Sequence, residues 1–414
     1  MRSKVNTIRM IGCMAAPLAA VVAATLAAVP ATQAATITYT SVAAGGDWQT
    51  NSTWTGTTGG TTYPGYSEAG DDVSIANGAT VTLSGTIPNS IYNLNIGSGT
   101  LDQTGGSLTT VSGSALRGGN GAATSTYEIS GGTATLGGYY LGGANGVFTL
   151  DVGGGTGVAT VNLSNTSYVA QYYGGTINVK SGGVLNSTST FDLAEGAGNG
   201  VLSLDGGTFQ TDGISAGSGP GTSTVNFNGG TLQATTNITI SGLTSANVQN
   251  GGAVFDTNGH TVTVSQNLIS DPTSPGGGLT LKDSSAGHNG TLILSNTGNT
   301  YNGNTTVDAG TLQIDSAFLA STSTVSIASG AHMLLDYSTG TNNIAGLSLG
   351  GTVLGPGTYG YGTQGGLYNS YFSSGTTHYL GTLTITAVPE PTTLALYGLG
   401  MVGLLLVGRR RQAR

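Results

Sequence analysis

Asp205-Gly206-Gly207-Thr208-Phe209-Gln210, then Asn228-Gly229-Gly230-Thr231-Leu232-Gln233, then Asp308-Ala309-Gly310-Thr311-Leu312-Gln313: these three copies of one pattern decide how the chain folds. Asp or Asn followed by Gly is turn chemistry, because both tolerate positive φ. Thr-Leu-Gln or Thr-Phe-Gln after the turn starts an apolar–polar alternation. The same alternation recurs in Val225 and Phe227, Ile238 and Ile240, Ile177 and Val179, and Val161 and Leu163. Period-two runs of this length are half-buried strands. No amphipathic 3.6-residue pattern is sustained outside the two termini.

The glycine doublets show how the strands are arranged. Gly131-Gly132, Gly153-Gly154, Gly174-Gly175, Gly206-Gly207, Gly229-Gly230 and Gly251-Gly252 follow one another at spacings of 22, 21, 32, 23 and 22. Beyond them Gly290, Gly310, Gly330 and Gly350 are spaced by 20. A period of this size marks a solenoid, in which each turn stacks on the last and buries its inward side chains in one column. A β-sandwich also has short alternating strands but needs no constant turn length. The expected fold is all-β, a right-handed parallel β-helix. About thirteen rungs at ~4.8 Å would stack to roughly 60 Å.

Composition agrees and excludes several functions. Of 414 residues 73 are glycine, without the three-residue period of collagen, and 37% are hydrophobic, too many for a disordered chain. Only Arg117, Lys180 and Lys282 lie between Thr36 and Pro391, against all eighteen Asp and Glu, which leaves that body at −15. Three scattered cations on an anionic body cannot follow a phosphate backbone, so nucleic acid is excluded as a partner.

The termini read as addresses. Arg2, Lys4 and Arg9 precede an apolar run over 11–29, which Pro30 and Ala31-Thr32-Gln33-Ala34 close. This is a secretory signal peptide over 1–34, cut between Ala34 and Ala35. Cys13, the only cysteine, lies inside it, so the mature protein would carry no thiol and no disulfide. At the other end Val388-Pro389-Glu390-Pro391 leads into an apolar stretch over 392–408 and then Arg409-Arg410-Arg411. A helix of that length reaches ~26 Å, short against a ~30 Å hydrocarbon core, and the arginines would stay cytoplasmic.

Triplet, short span and basic cluster, in that order, resemble the PEP-CTERM sorting signal of exported proteins. The resemblance implies recognition by an exosortase in the inner membrane, removal of the tail, and delivery to the cell surface or outside. Phe255-Asp256-Thr257-Asn258-Gly259-His260-Thr261-Val262 and the segments 290–295 and 299–312 resemble the autotransporter-associated β-strand repeat. That likeness covers roughly 250–385. Autotransporters end in a membrane barrel, whereas here the sorting tail follows. The organisation expected is signal peptide 1–34, N-terminal cap 35–72, β-helix 73–350, C-terminal cap strands 351–387 and sorting tail 388–414, with helices in the signal and in 392–408.

Many parallel β-helices cleave polysaccharides, so carboxylate pairs need inspection. Asp315 and Asp336 are one rung apart, at a spacing of 21, but a one-residue slip would put them on opposite faces. No Lys or Arg lies in either adjoining rung. Asp205 and Asp308 occupy a turn position that Asn228 fills equally well. Asp192 and Glu195 differ by an odd number and would face opposite ways. His260, His288, His332 and His378 show no ligand spacing, and Gly97 to Gly99 lacks the Lys of a phosphate loop. Trp48 and Trp54 would plug the open end of the coil. No catalytic, cofactor-binding or metal residue is expected, and no enzyme. The expected function is an exported surface or matrix structural protein, with exopolysaccharide as a candidate partner. A glycan-binding or adhesive module using outward Thr, Asn and Tyr ladders is the alternative, and a polysaccharide lyase or hydrolase is the second.

Overall fold

The computed structural model describes residues 37–386 apart from 57–61, 67–68, 112–115, 120–123, 141–145 and 166. The chain divides into two compact units, Met1–Ala35 and Thr36–Arg414, and every described residue belongs to the second. The helices expected in the signal and tail lie outside the described residues. Among those described, no helix is long and apolar enough to cross a membrane.

Parallel pairing between strands one turn apart defines the fold. Gly175–Lys180, Gly183–Ser187 and Phe191–Ala194 follow one another in the chain yet belong to three different sheets. The next turn, Gly200–Asp205, Thr208–Thr211 and Ile214–Ser215, lies parallel on them in the same order. A sandwich would pair sequence neighbours antiparallel within a sheet, so the arrangement is a β-solenoid. One face is a 10-stranded sheet that ends at Leu268–Ser270, and a second is a 12-stranded sheet ending at Thr352–Leu354. The third face is made by a 9-stranded sheet and, from Ile238–Ile240 onward, a 5-stranded one.

Loss of the first sheet explains the change in glycine spacing. While three strands make a turn, the register pairs Ile177↔Leu202, Phe209↔Leu232 and Ile238↔Val262 have offsets of 25, 23 and 24. After Leu268–Ser270 a turn has two strands, and the offset falls to 20 in Thr291↔Thr311 and Thr305↔Val325. At the junction it stretches to 30, in Thr261↔Thr291. The coil therefore makes about eleven turns, counted by the parallel strands of its longest sheet, where a constant period suggested thirteen.

Inward positions fill one continuous core. On the longest sheet Leu108, Ala134, Val161, Leu185, Phe209, Leu232, Phe255, Leu281, Val307, Ile327 and Leu349 stack in register, none more than 3% exposed. Each side chain touches its counterparts above and below, so the column buries apolar area that no single rung could hide. At the N-terminal end Trp54–Gly56 runs antiparallel to Thr38–Ser41, and Trp48 packs edge-on against Trp54 at 5.0 Å. Trp48 is fully buried, its indole N–H donating to the Pro64 carbonyl at 3.2 Å, so this aromatic pair closes the coil. At the other end Thr352–Leu354 folds back antiparallel on Gly346–Leu349, and Leu383–Ile385 returns between Asn342–Ile344 and Gly357–Tyr359.

Candidate functional site

Asp315 and Asp336 face one cleft. Strands Thr311–Ile314 and His332–Leu335 pair from Thr311↔His332 to Ile314↔Leu335, an offset of 21, which is also the separation of the two aspartates. The residue after each strand therefore stacks on its partner. The opposite-face alternative fails because no slip occurs at this rung. The Gln313 amide Nε2 donates to Asp315 Oδ1 at 2.9 Å and Asp336 Oδ2 at 3.3 Å, so one donor joins both carboxylates. Burial pushes the Asp315 carboxyl pKa up, the Gln313 hydrogen bond pulls it back, and the charge of Asp336 raises it further.

The opposite wall comes from a distant part of the chain. Four hydrogen bonds pin segment 370–382 across the two-strand rungs: Thr311 to Ser374 at 3.4 Å, His332 to the Ser370 carbonyl at 2.8 Å, Gly381 N–H to the Leu335 carbonyl at 3.1 Å, and the Tyr337 hydroxyl to the Thr382 carbonyl at 2.7 Å. Tyr337 also accepts from Asn342 at 2.8 Å, and burial pushes its pKa up to about 12. Burial and the neighbouring carboxylates of Asp336 and Asp315 raise the pKa of the Tyr379 hydroxyl. The His378 ring stacks on Tyr361 with centroids 3.8 Å apart. The cleft is open to solvent, has a volume of about 510 Å³, and is completed by Ser338, Thr339 and Leu380. No Lys or Arg lines it.

The other carboxylates fall elsewhere. Asp205 accepts from Asn228 at 3.1 Å, and Asn228 in turn accepts from the Gly251 N–H at 3.0 Å, so the turn position stacks as a polar ladder. Glu195 lies past the end of strand Phe191–Ala194, where alternation stops, and its charge adds to burial in raising the Asp192 pKa. Among the described residues no three His, Cys, Asp or Glu are placed to hold a metal ion.

The outward face carries a feature that reading by turns overlooks. Thr80, Thr100, Thr126, Thr149 and Thr176 form one register column, and Asp102, Glu128, Asp151 and Asn178 form the column beside it. Lys180 and Asn178 meet Asp151 at 2.9 and 2.7 Å. The signal was present as Thr100-Leu101-Asp102, Thr126-Tyr127-Glu128 and Thr149-Leu150-Asp151, and the doublets Gly105-Gly106 and Gly131-Gly132 follow the first two at the same spacing.

Comparison with known families adds the terminal segment. A family model for the PEP-CTERM protein-sorting motif matches residues 387–411, which span Val388-Pro389-Glu390-Pro391 and Arg409-Arg410-Arg411. The chain carries a PEP-CTERM sorting motif. This motif lies outside the described residues, as does the signal cleavage site at Ala34 and Ala35. A second family model, the passenger-associated-transport-repeat, matches residues 289–314. That interval is one two-strand turn, from Thr291–Leu294 to Thr311–Ile314, and the Asp315 cleft opens directly after it. No curated protein and no solved structure matches the chain significantly. The PEP-CTERM motif marks an exported protein that is anchored in the membrane during transit.

Proposed function

We propose that the protein is a structural component of the cell surface or extracellular matrix, a β-solenoid delivered by an exosortase-type enzyme that removes the tail in the inner membrane. The observation that carries this reading is the sorting motif at 387–411 joined to a solenoid with few charged groups. The proline triplet suits recognition by a processing enzyme. Each Pro disfavours helix at the residue before it, so the triplet is by sequence a poor helix former. Gly398, Gly400 and Gly403 weaken a helix over 392–408, as suits a temporary anchor.

We infer no catalytic activity. Charge development in polysaccharide cleavage calls for a cation beside the carboxylates, and neither Lys nor Arg lines the cleft that holds Asp315 and Asp336. Replacing Pro389 and Pro391 together by Ala in the native host is expected to hold the protein in the membrane fraction. Unchanged delivery of that variant to the surface would remove the sorting route from the account.

A further inference from the structure

The cleft at Asp315 and Asp336 has a chemistry that narrows what it can hold. Its volume of about 510 Å³ lies within the range of pockets for small organic ligands. Its polar lining consists of two carboxylates, the exposed hydroxyls of Ser338 and Thr339, and the side chains of Tyr337, His378 and Tyr379; the carboxylates, when ionised, only accept. A ligand must therefore bring hydrogen-bond donors. An anion is disfavoured, because neither Lys nor Arg lines the cleft and the surrounding body is strongly negative.

A bare metal ion fits poorly. The Gln313 amide already holds the position between the carboxylates, donating to both at 2.9 and 3.3 Å, and its N–H groups would repel a bridging cation. No third acidic or imidazole ligand completes a metal cluster among the described residues. The lining also has one fully apolar side chain, Leu380, which is 78% exposed and follows Tyr379 in the chain. Hydroxyl donors on one side and a C–H face on the other are what a sugar ring presents. Both walls are fixed in advance, Gln313 holding the carboxylates and four hydrogen bonds holding segment 370–382. Little ordering is left for the ligand to impose.

We propose that this cleft binds a neutral saccharide, with Asp315 and Asp336 accepting from its hydroxyl groups and Leu380 and Tyr379 covering its apolar face. The inference stands apart from the route of export, since purified protein tests it without any sorting enzyme.

The test is a titration calorimetry series on the purified protein, with a neutral oligosaccharide selected from a glycan array, calcium chloride alone, and a polyuronate as separate titrants. Saturable binding of the neutral sugar is expected, reduced at least tenfold by Asp336→Asn and by Asp315→Asn. Thr339→Trp, on an exposed loop where folding is not at stake, should block the mouth and abolish binding. Asp102→Asn, on another face, should leave affinity unchanged. The proposal fails if no neutral glycan binds, if Thr339→Trp leaves binding intact, or if only calcium or only the polyuronate is bound.

Discussion

Asp283 is 3% exposed and its two oxygens accept four hydrogen bonds: from the backbone N–H of Gly259 at 2.8 Å, Ser285 at 3.1 Å and Gly290 at 2.6 Å, and from the Ser285 hydroxyl at 2.7 Å. It ties the turn after Leu279–Lys282 to the turn of the rung below. Burial acts to raise its pKa, but the hydrogen bonds outweigh burial and the carboxyl lies below the ordinary range. Asp283→Ala strands three backbone donors and is expected to cost roughly 3 kcal/mol or more in equilibrium denaturation. Because the folded pKa is depressed, the carboxylate's contribution is complete above the unfolded pKa of ~3.9 and is lost as pH falls through the folded value. The wild-type minus variant difference should therefore shrink in acid. Gly290 beside it is glycine for a steric reason, since a Cβ there would stand 2.2 Å from the Thr257 hydroxyl. Gly206 instead has φ +87°, while a Cβ on Gly207 would lie 2.4 Å from the Lys180 carbonyl, so that doublet turns the chain and lets two rungs approach.

A single rung is held only by its neighbours, which makes the strand the unit of local stability. Phe209 sits fully buried between Leu185 and Leu232 in the core column and meets Phe191 at a centroid distance of 4.8 Å. Phe209→Ala is expected to cost about 3–5 kcal/mol through lost contact and the cavity left behind. Hydrogen exchange should show the loss first in Gly183–Ser187 and Thr231–Ala234, the strands that flank it, and last at the two ends of the coil. Strand type was legible at this scale because alternation and Asx-Gly turns are local signals. Register was not, since its offset is 30 in Thr261↔Thr291 and 20 in Thr291↔Thr311, changing as a turn loses a strand. The Asp315–Asp336 pair shows the difference. Their separation of 21 could be read from the chain, but whether that rung had the same offset depended on pairing of Thr311–Ile314 with His332–Leu335. The wall supplied by His378 and Tyr379 left no sequence signal, because it depends on a return of the chain after the coil has ended.

For the whole molecule, sequence and fold divide the work between the solenoid and the termini. The solenoid holds nearly all its apolar side chains inside one column and leaves Thr, Ser, Asn and Gln ladders outside, an arrangement that needs few charges to stay soluble. The termini hold seven of the ten cations, next to the two long apolar runs. The tail, read as an address from its triplet and arginines, is matched as a PEP-CTERM motif over 387–411. The broader repeat likeness over 250–385 narrows to 289–314, where the coil has two strands per turn and its spacing is most regular. Export of a solenoid whose anchor is temporary is the central claim, and mass spectrometry of the C-terminal peptide from cell-surface material tests it most directly. The account predicts a chain that ends close to Pro391, with residues 392–414 absent from the surface fraction. Recovery of surface protein still carrying those residues through Arg414 would show a lasting tail anchor and contradict it.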